Sequence, residues 1–359
     1  MSEETQDKPI INKEAHGRGT SLNPANRFEE IEFAPDPEFD FSEDQNIKTK
    51  YYIDASKSLI NYNDSPDVGF DAGINPYRGC EHGCIYCFAR PSHEYLGLSS
   101  GLDFETKIFV KTAAPALLRK ELSAPKWQPK VLALSGNTDC YQPIERRLKI
   151  TRGCLEILLN FRNPCSIITK NRLITRDIDI LKSMSEYKGV AVFISMTTLD
   201  VQVAKLMEPR TSIPEDRLRA IEELRKNNIP VGSLIAPVIP ALTDHEIPTI
   251  IKAVVNAGAQ FAGYTVLRLP YSVKDLFEDW LLKNFPERKD KILNRLRSLR
   301  GGKLYDAKFG ERMKGSGIWA KQIKDLFRLG VQKAGILLPA PELSVDYFRN
   351  PYDKQLKLF

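Results

Sequence analysis

Three cysteines could do chemistry in this chain: Cys80, Cys84 and Cys87, in the stretch Gly79-Cys80-Glu81-His82-Gly83-Cys84-Ile85-Tyr86-Cys87. Their spacing is C-x3-C-x2-C, with an aromatic residue, Tyr86, directly before the last. Three thiolates on one short loop can hold three irons of a [4Fe–4S] cube. A cube needs four ligands, so one iron stays open, able to bind a small molecule and pass it an electron. That points to an enzyme rather than to an electron carrier. A single zinc is the alternative, with His82 or His93 as fourth ligand. Structural zinc usually takes two separated pairs of ligands, and no second cysteine pair exists. The other cysteines, Cys140, Cys154 and Cys165, are scattered. So few in a chain of this length do not suggest a disulfide framework.

The elements that position this loop follow from the rest of the chain. With 359 residues it can bury one large core or two, and at 42% hydrophobic and 27% charged it has an ordinary soluble composition. The N-terminus has no basic-then-apolar signal pattern. The longest apolar stretch, residues 231–242, is too short to span a bilayer and contains Pro237 and Pro240. A cytoplasmic protein with no membrane segment is therefore expected. The net charge of +6 is uneven: residues 1–46 carry 12 Asp/Glu and 4 Lys/Arg, leaving +14 on the remainder. The basic excess is densest over residues 283–324, which could grip phosphates or form one solvated helix face.

Residues 1–50 read as an acidic, flexible arm, within which 17–20 and 23–28 could pack or bind. From residue 68 onward, β-branched apolar runs alternate with amphipathic patterns. Strands are expected at 68–75, 130–136, 165–170, 190–196, 230–239 and 261–269. Helices are expected at 112–122, 144–159, 177–187, 214–227 and 244–258. This alternation predicts an α/β fold with a parallel sheet, as a partial (β/α)6 TIM-like barrel over residues 51–270. Its site would lie at the C-terminal ends of the strands. Residues 271–359 read as a basic, mainly helical C-terminal extension.

The cysteine loop after strand one, followed by six β/α steps, resembles the radical S-adenosylmethionine (radical SAM) superfamily. Its motif C-x3-C-x-aromatic-C is matched by Cys80, Cys84, Tyr86 and Cys87, and the likeness covers roughly residues 68–270. Within the superfamily the chain is similar to the spore photoproduct lyase group. It is more similar still to a bacterial branch with Asn-Pro-Tyr-Arg-Gly-Cys-Glu-His-Gly-Cys (75–84) and Thr-Asp-x-Tyr-Gln-Pro-x-Glu (138–145) motifs. The resemblance implies a [4Fe–4S] cluster and S-adenosyl-L-methionine (AdoMet), reductive cleavage to a 5′-deoxyadenosyl radical, and hydrogen abstraction from substrate. It implies a lyase- or transferase-type reaction, and a reductase such as flavodoxin or ferredoxin as partner.

The resemblance also implies roles residue by residue. Tyr86 would pack near the adenine. Ser135-Gly136-Asn137-Thr138-Asp139 stands where the superfamily often has Gly-Gly-Glu, so Asn137 and Asp139 are candidates for the AdoMet amino group. Thr138 and Asp139 could equally cap a turn or helix. Lys170 resembles a lysine beside the AdoMet carboxylate, and Ser195 a ribose or carboxylate contact. Ala236-Pro237 would shape the adenine pocket. Arg210 and Arg268 are candidates for anchoring substrate or carboxylate, or for ordinary ion pairs. Photoproduct lyases carry a hydrogen-donating cysteine where this chain has Gly136; Cys140, four residues on, is the candidate substitute, or a small buried residue. Three functions are carried forward. They are radical chemistry on a nucleic acid or nucleotide, radical modification of a peptide or small metabolite, and a non-catalytic zinc-stabilised binding protein.

Overall fold

The β-branched runs do become strands. The computed structural model describes residues 10–11, 15, 17–28, 47–336 and 339–352. In chain order the strands are β1 (Ile10–Ile11), β2 (Leu22–Asn23), β3 (Lys50–Ile53), β4 (Ile60–Tyr62), β5 (Ala72–Ile74) and β6 (Tyr77–Arg78). They continue with β7 (Lys107–Val110), β8 (Leu132–Leu134), β9 (Cys165–Thr169), β10 (Val190–Ser195), β11 (Val231–Val238) and β12 (Ala262–Val266). The central sheet has the order β12-β11-β10-β9-β8-β5-β4. Every pairing in it is parallel except β4 with β5. Parallel strands are covered on both faces, and Leu132, Ala133, Leu134, Val190 and Val192 are accordingly fully buried.

Helices α1 (Leu102–Thr106), α2 (Ala114–Leu122), α3 (Glu145–Leu148), α4 (Ile150–Phe161), α5 (Ile178–Ser185) and α6 (Val201–Met207) accompany these strands. So do α7 (Pro214–Lys226) and α8 (Ile247–Asn256), while α9 (Val273–Asn284), α10 (Lys289–Ser298) and α11 (Gly317–Ala334) follow the last strand. α7 opens on Pro214, Glu215 and Asp216 and closes on Arg225 and Lys226, as helix-end electrostatics favour. The expected helix over 144–159 is broken in two at Lys149, which has φ 55°. The cause is Glu145, whose carboxylate turns back to accept the Thr151 N–H at 3.0 Å at the start of α4. The short α6 was not expected; Asp200 caps it by accepting from the N–H groups of Gln202 and Val203.

Six strands run parallel, but the sheet is open rather than a closed barrel: β12 and β4 are its two edges. The segment after α10 touches both. The Val266 N–H on β12 donates to the Met313 carbonyl at 2.8 Å, and Arg312 pairs with Asp67 in the β4–β5 connection. A second sheet has the order β3-β7-β6; its β6 and β7 fall between β5 and β8 in sequence, and β3 precedes them. The helices α9 and α10 share one buried cluster with Ile85 and Tyr86, so the C-terminal extension packs directly against the cysteine loop.

Most of the acidic arm lies outside the described residues. Its stretch 17–28 is packed: Gly19 N–H donates to Glu105 at 2.9 Å, and Asn26 and Arg27 reach Glu94. A Cβ on Gly19 would meet the Gly83 carbonyl oxygen at 1.8 Å, so this stretch lies backbone to backbone on the cysteine loop.

Candidate functional site

The cysteine loop follows β5 and β6 and turns on two glycines. Gly79 and Gly83 have φ of 77° and 67°, the left-handed region that favours glycine. A Cβ on Gly83 would lie 2.7 Å from the Glu105 carboxylate. The loop is held by backbone bonds from Cys80 N–H to Phe104 and from Ile85 N–H to Met207. Arg90, fully buried, donates to the Cys84 carbonyl at 3.0 Å and pairs with Glu105.

The second motif, residues 138–145, grips the first almost residue by residue. Thr138 donates to the Tyr77 carbonyl at 2.9 Å. Asp139 lies 3.4 Å from His82. Gln142 accepts from the Glu81 N–H at 3.0 Å and donates to the Gly79 carbonyl at 3.2 Å. Glu81 accepts from the Ile144 N–H and the Tyr51 hydroxyl, and Arg210 stands 3.5 Å away. The Tyr77 hydroxyl donates to Glu145. Asp139 also accepts from Thr169 and from the Lys170 and Tyr141 N–H groups. Burial works against its ionisation, but His82 and these donors outweigh burial and bring its pKa to about 2.

A cavity of about 690 Å³ opens at the C-terminal ends of the parallel strands. Cys80, Cys84 and Cys87 all line it, as do Tyr86, Asn137, Asp139, Lys170, Ser195, Ala236, Pro237 and Arg268. The three thiols are free, and burial pushes each above its ordinary range. Such thiols ionise readily only when a cation or metal replaces the proton. Lys170 is one cation at hand, and its charge lowers the pKa of Cys84 and Cys87. Its Nζ lies 5.8 Å over the Tyr86 ring. The Tyr86 hydroxyl is bound by Glu208, which also accepts from Thr197 and pairs with fully buried Arg217. Arg217 reaches on to the Ser195 carbonyl at 3.0 Å.

Two sequence candidates lie elsewhere. Cys140 is fully buried in the main core and is not in the cavity wall; its N–H donates to Ser135 and its carbonyl accepts from Thr151. Gly136 does line the cavity, and a Cβ there would stand 3.2 Å from the Phe70 ring. Arg210 belongs to the Glu81 clamp instead. Neither suggested zinc histidine is free. The His82 ring lies against Asp139 and Asn171, and His93 is buried away from the cavity against Phe104, its Nε2 on the Lys107 carbonyl. Among the described residues no three His, Cys, Asp or Glu side chains converge on one ion position.

Gln142, Thr169, Asn171, Glu208 and Arg217 were not singled out from sequence. Gln142 alone stood in a quoted motif, and the rest act across long sequence separations that spacing does not reveal.

The radical SAM superfamily model matches residues 74–254. Uncharacterized proteins of Mycobacterium tuberculosis and Mycobacterium bovis are 37% identical over 230 residues, covering 63% of this chain and 66% of theirs, just under two thirds of their length. An uncharacterized protein of Methanocaldococcus jannaschii is 29% identical over 222 residues, covering 62% of this chain and 79% of its own. Among solved structures, a spore photoproduct lyase mutant superposes with TM-score 0.58 at 15% identity, covering 80% of this chain and 79% of that one. A spore photoproduct lyase complexed with dinucleoside spore photoproduct gives TM-score 0.57 at 15% identity, covering 79% of each. At that identity the likeness is one of fold.

Two predictions follow from the loop's packing. Gln142→Ala leaves the buried Glu81 N–H and Gly79 carbonyl without their partner. Urea unfolding should show a loss of roughly 2 kcal/mol or more, and iron bound after anaerobic reconstitution should fall. Wild-type stability and iron content in the variant would contradict the clamp. His93, held by burial at a pKa of about 4 against the ordinary 6.5, is kept neutral in the folded chain. The unfolded chain takes up the proton first, so the His93 contribution to stability is complete above about pH 6.5 and is lost from there toward about pH 4. His93→Gln should decline less over that window, and an unchanged pH profile would contradict this.

Proposed function

The chain belongs to the radical SAM superfamily, whose members use a [4Fe–4S] cluster and AdoMet; from that premise we propose that it is a radical SAM enzyme acting on a nucleic acid or nucleotide. The observation that carries the reading is the meeting of three free thiols from one loop with Lys170 and Ser195 in a single strand-end cavity. When bound, the cluster and AdoMet supply a 5′-deoxyadenosyl radical able to take a hydrogen atom from a substrate.

The chain's own residues hold and orient. Cys80, Cys84 and Cys87 would ligate the cluster as thiolates, each releasing its proton to solvent as the iron takes its place. Tyr86 offers a ring fixed from behind by Glu208. Lys170 and Ser195 would meet the AdoMet carboxylate and ribose. Asn137 would meet its amino group, because the Asp139 carboxylate is already engaged by His82, Thr169 and two N–H groups. Asp139 then acts by fixing His82 between the first two cysteines. Cys140, buried outside the cavity, is given no hydrogen-transfer role, and with Phe70 crowding Gly136 the reading does not extend to photoproduct repair.

The nucleic-acid part is supported by the cavity's aromatic and cationic wall, which includes Phe70, Phe88, Tyr264, Arg268 and Lys314. Aromatic faces and cations together suit bases and phosphates. A flavodoxin or ferredoxin would serve as reductant. No helix among the described residues is long and apolar enough to cross a membrane.

The test is 5′-deoxyadenosine formation by the anaerobically reconstituted, reduced protein given AdoMet, with Cys84→Ala as control. Product from the wild type alone is expected. A wild type that carries its cluster and yields no product would overturn the reading.

A further inference from the structure

One wall of the cavity carries cations that have no carboxylate partner among the described residues. Arg268 follows β12 and lines the cavity, and among the described residues no carboxylate lies within ion-pair distance of it. Its Nη1 meets the Met313 sulfur at 3.3 Å, and its Nε is buried with no acceptor. Its guanidinium stands 5.1 Å over the ring of Phe88, the residue directly after Cys87. Lys314 lines the same wall, 5.0 Å over the Tyr264 ring, and likewise has no carboxylate partner among the described residues. Arg312, which also lines the cavity, is matched by Asp67. Behind them Arg300 is held below the ordinary guanidinium range, first by burial and then by the charge of Arg268.

A buried N–H without an acceptor is unfavourable, and a second cation nearby makes it more so. An anion seated against Arg268 would relieve both. The guanidinium fork favours planar or tetrahedral oxyanions. The exposed ring of Phe88 beside Arg268 suits a base attached to that anion, which favours a phosphate over a peptide carboxylate. Lys170, also in the wall and with no carboxylate partner among the described residues, is electrostatically close to Cys84 and Cys87 and is taken up by AdoMet in the reading above.

We propose that Arg268 and Lys314 form the anchor for a phosphate of a nucleotide substrate, on the β12 side of the cavity. This rests on the proposed function and assigns the specificity of that site. Arg268 supplies the directed hydrogen bonds, and Lys314, at the exposed rim, supplies charge.

The test measures binding of a labelled single-stranded DNA of about ten nucleotides by the reconstituted full chain with AdoMet, across a salt series. Arg268→Gln, Lys314→Gln and a control on the exposed face of α11, Lys324→Gln, are compared, with thermal melts to verify folding. Each wall variant should weaken binding roughly tenfold or more and make the slope of log K against log salt shallower by about 0.7, while the control matches wild type. The anchor is overturned if both wall variants bind as wild type does. It is also overturned if the strand binds wild type no better than an acidic peptide of equal charge, or if the variants change only the KM for AdoMet. Lys314 is exposed, so Lys314→Gln keeps the test decisive should Arg268→Gln not fold. AdoMet cleavage is followed in parallel. Its absence from wild type contradicts the proposed function, and its presence with unchanged strand binding contradicts the anchor alone.

Discussion

The cysteine loop owes its shape to polar contacts with the segment that follows β8. Its backbone turns through two left-handed glycines, and the residues between Cys80 and Cys84 are buried polar groups, Glu81 and His82. Such groups are costly to bury unless every donor and acceptor is met. The 138–145 segment meets them: Asp139 for His82, Gln142 for the Glu81 N–H, and the Ile144 N–H for the Glu81 carboxylate. Because β5 and β8 are paired neighbours in the sheet, the two segments start from fixed positions and the contacts between them set the loop. All three cysteines thereby come to line the cavity.

Buried charge braces the loop from two other sides. Arg90 and Glu105 lie under Cys84, and Glu105 also takes the Gly19 N–H from the N-terminal stretch. Glu208 and Arg217 lie under Tyr86. A buried ion pair adds little net stability compared with apolar packing, but losing one partner costs roughly 3–5 kcal/mol. These pairs therefore serve position more than stability. They tie β10, the α6–α7 connection and the N-terminal stretch to one loop, so the site draws on most of the chain's length.

Much of this could be read from residues alone, and the limits have physical causes. The three cysteines, the parallel strands and the strand-end site were visible because spacing and β-branched periodicity are local signals. Lys170, Ser195 and Asn137 do line the cavity, because each ends or follows a strand. Cys140 lay near them in sequence, yet the left-handed turn at Ser135, with φ 72°, carries the chain on so that its thiol enters the core. The break at Lys149 was hidden because Glu145, not a glycine or proline, causes it. Asp139, a candidate ligand that lines the cavity, is also bound by Thr169 and His82, and those contacts were hidden because the partners are distant in sequence. The clasp between Arg312 and Asp67 spans most of the chain and leaves no local trace.

The proposed function requires that the three clamped thiols hold a cluster with one iron left for AdoMet. The most direct measurement is electron paramagnetic resonance of the anaerobically reconstituted, reduced protein with and without AdoMet. A reduced [4Fe–4S] signal that changes when AdoMet is added and is lost in Cys84→Ala is expected. A signal indifferent to AdoMet, or a protein that takes up zinc and no cluster, would contradict it.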